Sequence, residues 1–101
     1  MLNLELHVNP KTERQLKKIL SYQDEETFAR NIVAYQMAEL QKGVLNIHLD
    51  IKEFEDKYQQ TTEEFYRHFE QGEAGDSEDF VLWAGLYEML RENKRRLQEL
   101  A

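Results

Sequence analysis

The chain has 101 residues, 20 acidic against 13 basic, a formal net charge of −7 and no cysteine. The missing cysteines exclude disulfides, thiolate zinc sites and cysteine nucleophiles. With 4 glycines and 1 proline the composition leans away from turn-rich all-β folds, and 41% apolar residues support only a thin core, at a size where small domains often gain stability by oligomerising.

The N-terminus MLNLELHVNP lacks the basic region and long apolar run of a signal peptide. No stretch approaches the roughly 20 apolar residues of a membrane helix. The expectation is a soluble, cytoplasmic chain with no membrane partner.

Residues 2–8 alternate strictly, with Leu2, Leu4, Leu6 and Val8 on one face and Asn3, Glu5 and His7 on the other. This is the period of a half-buried strand. A single strand leaves its backbone unsatisfied, so the expected partner is the same strand of a second copy. Asn9-Pro10 then reads as a cap followed by proline at the first helical position, predicting a helix to about Ser21. Leu16, Ile19 and Leu20 form its apolar face, and Lys11, Arg14, Lys17 and Lys18 its exposed side.

Asp24 predicts the cap of a second helix, with Glu25 and Glu26 placed favourably against its dipole. Val33, Met37, Leu40, Val44, Ile47, Ile51, Phe54 and Tyr58 follow at spacings of four and three. That seam predicts one long helix over about 25–59, with Gly43 a local weakness. Residues 44–51 also alternate like a strand, but the seam runs through both flanks and favours helix. Thr61-x-x-Glu64 is a capping box opening a short helix to about Gln71. After the loop around Gly72 and Gly75, Asp76 or Ser77 caps a last helix to about Leu100, with Phe80, Trp83, Tyr87, Leu90 and Leu97 on one stripe.

Charge divides the chain unevenly. Residues 1–43 carry six basic and six acidic side chains, whereas residues 50–79 carry eleven acidic and three basic ones. Such asymmetry predicts two surfaces with different tasks.

Catalytic chemistry finds few candidates. His7, His48 and His68 are far apart, and Glu64 with His68 is at most half of a metal site. Ser21 and Ser77 end and start helices, with no base beside them. Neither enzyme activity nor a cofactor or metal is expected. The aromatics carry more: Phe54, Tyr58, Phe65, Tyr66, Phe69, Phe80, Trp83 and Tyr87 all lie in the acidic half. Aromatics beside acids make hot spots for a basic protein partner. They equally make an ordinary core, and both readings stand at this point.

The order strand, helix, turn, helix over about the first 40 residues resembles the ribbon-helix-helix module, and Phe28-Ala29-Arg30-Asn31-Ile32-Val33 resembles its second-helix core pattern. The remainder resembles a C-terminal segment of small bacterial antitoxins of type II toxin–antitoxin pairs. The likeness rests on Phe54-Glu55-x-Lys57-Tyr58, Glu64-Phe65, Phe69-Glu70-x-Gly72-Glu73, Gly75-Asp76, Asp79-Phe80 and Trp83. The resemblance implies an antitoxin that dimerises through its N-terminal half, represses its own operon, and wraps a basic ribonuclease toxin. On that reading Phe54, Tyr58, Phe65, Phe69, Asp76, Asp79, Phe80, Trp83 and Tyr87 bind the toxin. Asn3, Glu5, His7, Lys11 and Arg14 would meet operator DNA. The chain departs from the DNA-binding pattern at Glu5 and at Asp24-Glu25-Glu26, where the family offers bare backbone amides to a phosphate.

The expected fold is therefore mainly α: a short N-terminal strand pairing across a dimer, a long second helix and a C-terminal helical arm. Residues 1–43 form the dimerisation module and residues 44–101 the partner-binding region. The alternatives are a DNA-binding repressor and a purely structural helical oligomer held by the Val33–Tyr58 seam.

Overall fold

The computed structural model describes all 101 residues. It contains four helices: α1 (Pro10–Tyr22), α2 (Glu25–Tyr58), α3 (Thr62–Glu70) and α4 (Glu78–Leu100). Each starts on a side chain that satisfies an otherwise unpaired amide. Asn9 Oδ1 accepts from Thr12 N at 2.8 Å, Asp24 Oδ1 from Thr27 N at 2.6 Å, Thr61 Oγ1 from Glu64 N at 3.2 Å, and Ser77 Oγ from Phe80 N at 3.3 Å. Caps of this kind are typically worth about 1 kcal/mol each.

The stops are as local as the starts. Gln59 takes a left-handed φ of 52° and ends α2. Gly72, at φ 75°, ends α3: its amide donates to Phe69 O at 3.1 Å and the Glu73 amide to His68 O at 2.9 Å. This is the Schellman arrangement, and the left-handed position explains the glycine.

The predicted N-terminal strand is not present. Residues 1–9 have no regular secondary structure. One chain offers segment 2–8 no second strand with which to form a ladder, so the alternation of Leu2, Leu4, Leu6 and Val8 goes unused. Residues 44–51 are helical, as the seam requires, and α2 passes through Gly43 without a break.

The chain divides into two units, Met1–Tyr35 and Gln36–Ala101, so the boundary falls inside α2, eight residues before the division at 43 expected from charge. The second unit holds a core of Ile47, Ile51, Phe65, Trp83, Ala84 and Leu90. Val44, Phe54, Tyr58, Tyr66, Phe69, Phe80 and Tyr87 pack around it. From Val44 onward the α2 seam is thus covered by the chain's own later helices rather than by another copy. The first unit contains no fully buried residue at all.

Candidate functional site

In the first unit the apolar face is assembled but uncovered. Leu4, Leu6 and Val8 line an open cleft with Leu16 and Leu20 of α1. Leu2, Leu4 and Leu6 remain 60–80% exposed, and Ile32, Val33 and Tyr35 of α2 are also exposed. Soluble monomers rarely leave so many large apolar side chains open in so short a segment.

The residues expected to meet DNA all reach solvent. Asn3, Glu5 and His7 lie in the irregular N-terminal segment, and Lys11 and Arg14 lie on α1. The start of α2 is occupied, however. Asp24 takes the Thr27 amide, and this hydrogen bond holds its carboxyl below the ordinary range. A phosphate approaching those amides would meet a fixed anion, with Glu25 and Glu26 beside it.

The second unit is organised by Trp83, which is fully buried. Its indole stacks on Phe65, with ring centroids 3.9 Å apart, and lies near-parallel to Phe54 and Tyr58 at 5.7 and 5.9 Å. Its polar edge is satisfied through a short relay. Trp83 Nε1 donates to Thr62 Oγ1 at 3.1 Å, and Thr62 Oγ1 donates to Glu55 Oε2 at 2.9 Å. The Thr62 amide donates to the same carboxylate oxygen at 2.8 Å. One threonine therefore ties the end of α2, the start of α3 and the middle of α4, and no buried side-chain polar atom is left unpaired.

A second tie joins α2 to α4 nearer the surface. Asp79 Oδ2 accepts from Lys57 Nζ at 2.8 Å and from the Tyr58 hydroxyl at 2.5 Å. The Lys57 ammonium and then the Tyr58 hydroxyl hold the Asp79 carboxyl below its ordinary range, and the same contact raises Lys57. Further along, the Tyr66 hydroxyl donates to Glu88 at 2.7 Å, which together with burial pushes the phenol up to about 12. The Arg91 guanidinium lies over both Tyr66 and Tyr87.

The residues expected to contact a toxin are thus brought together, but inside the unit. Phe65 and Trp83 are core, while Phe54, Tyr58, Phe69, Phe80 and Tyr87 pack against them. Of the two readings open for these aromatics, the isolated chain uses them as core. Asp79 is bound to Lys57 and Tyr58, and Asp76 stands exposed in the loop before α4. His68 Nδ1 lies 2.9 Å from Glu73 rather than against Glu64.

Sequence reasoning missed two things. The first is the Glu55–Thr62 relay, for which nothing local gives a signal. The second is a set of large apolar side chains on α4 that point away from the core: Val81, Leu82 and Met89 are each more than half exposed. Their helical phase, opposite to Phe80, Trp83 and Tyr87, was readable. No family model, curated protein or solved structure gives a significant match to this chain.

Proposed function

We propose that the protein is a protein-neutralising antitoxin, dimeric through residues 1–35, whose acidic second unit binds a basic toxin. One observation carries the dimeric part of this reading. The first unit has an alternating apolar segment, two amphipathic helical stretches and no buried residue. Pairing segment 2–8 with its copy would satisfy its backbone and cover Leu2, Leu4, Leu6 and Val8 together.

The toxin-binding part rests on charge and on the resemblance of residues 54–83 to antitoxin C-terminal segments. With the aromatics engaged as core, the groups available to a basic partner are the acids around them, of which Glu63, Glu73 and Asp76 are exposed. Complementary charge raises association rates and excludes partners of the same sign. DNA repression is the weaker alternative, because Asp24 already fills the helix start that a phosphate would use.

The test is co-expression with the protein encoded by the adjacent reading frame. The neighbour alone should arrest growth. This chain should relieve the arrest and co-elute with the neighbour, and a triple Glu63→Lys, Glu73→Lys, Asp76→Lys variant should lose both effects. A neighbour that is harmless, or that this chain fails to bind, contradicts the proposal.

A further inference from the structure

The outward face of α4 has its own pattern. Glu78, Val81, Leu82, Gly85, Met89 and Arg96 share one side of the helix, opposite the buried Trp83 and Leu90. Val81, Leu82 and Met89 are 54–56% exposed, and a side chain added at Gly85 would meet nothing within 4 Å. The ends of this stripe carry opposite charges. Glu78 stands at the start, beside Asp79, and Arg96 at the far end, beside Lys94 and Arg95.

We infer that this face is a self-association surface on which α4 packs antiparallel against α4 of a second copy. Charge complementarity selects that occupant. A two-fold axis between Gly85 and Met89 reverses the helix, and so places Glu78 opposite Arg96 of the partner subunit, twice per pair. It also sets each Met89 over the bare backbone at Gly85, where a glycine lets two helices approach closely. A parallel arrangement would set like charges together at both ends. The contact is isologous, as two-fold pairs are, and it is separate from the pairing proposed for residues 1–35. Together the two would build a tetramer.

Mass measurement of full-length variants by sedimentation separates the two contacts. Leu4→Glu with Leu6→Glu removes the N-terminal pairing, and the chain carrying both should still dimerise at about 100 µM through α4, in the range of weak protein pairs. Adding Met89→Glu, an exposed substitution, should give a monomer. In the same background Glu78→Arg or Arg96→Glu alone should each weaken the dimer roughly 3- to 10-fold, the size expected of exposed ion pairs made twice. The double swap should restore it, which neither a helix-dipole effect nor loss of the local Glu92–Arg96 pair can do.

A Leu4→Glu, Leu6→Glu chain that is monomeric throughout, or a dimer indifferent to Met89→Glu, overturns the proposal and leaves the stripe to a partner of different sequence. Failure of the N-terminal reading looks different: Leu4→Glu with Leu6→Glu would then leave the wild-type mass unchanged while Met89→Glu still lowers it.

Discussion

The indole of Trp83 lies flat against the ring of Phe65, with centroids 3.9 Å apart and planes inclined by 2°. Both rings are essentially inaccessible to solvent. Replacing Trp83 with alanine should therefore cost about 3–5 kcal/mol, the usual range for a buried large aromatic. Urea unfolding followed by far-ultraviolet circular dichroism measures it. A loss below about 1 kcal/mol would mean that Trp83 is not core but a free contact residue.

Thr62 gives a more selective probe, because it donates to Glu55 and accepts from Trp83 at once. Thr62→Val keeps the volume and removes the hydroxyl. The indole N–H is then left buried without a partner, at a cost of about 1–3 kcal/mol. Thr62→Ser should retain most of the stability, since the relay survives. Equal losses in the two variants would show that the methyl group, and not the relay, is what matters.

The Asp79 tie predicts a pH dependence of known sign. Its folded carboxyl titrates below the ordinary value of 3.8, because the ionised form is held by Lys57 and Tyr58. Its contribution to stability is therefore complete above that value and lost as pH falls through the lower folded one. Asp79→Asn should lower the urea midpoint at pH 7, and the gap from wild type should close in acid. A gap that stays constant down to pH 2 would contradict the ion pair.

Gly43 tests the balance between propensity and space. An added Cβ would lie 3.1 Å from Asn93 Nδ2, tight against the end of a flexible side chain. Alanine in a helix interior is favoured over glycine by roughly 0.5–1 kcal/mol, and Asn93 can give by the few tenths of an ångström required. Gly43→Ala should therefore be neutral or mildly stabilising in urea, whereas Gly43→Leu should destabilise. Destabilisation by alanine would show that Asn93 is fixed.

What was legible in the sequence follows from the range of the interactions. The caps at Asn9, Asp24, Thr61 and Ser77 act over three residues, and the helix boundaries fall within a residue or so of those read from them. The seam from Val44 to Tyr58 showed that α2 has a buried side but not what covers it. Its period is the same whether the cover is α3 and α4 or a second chain. The aromatics had the same ambiguity, since hot spots and cores use the same residues. Segment 2–8 has the pattern of a strand without the ladder, because a ladder needs a second strand.

That segment also carries the central claim, that the first unit is completed by a second copy. Amide hydrogen exchange of residues 2–8 in the wild-type protein at about 100 µM tests it most directly, and the α4 surface does not enter into it. Paired ribbons predict amides protected well beyond those of an unstructured peptide, with the protection abolished by Leu4→Glu and Leu6→Glu together. Exchange at unstructured rates in the wild type would contradict it.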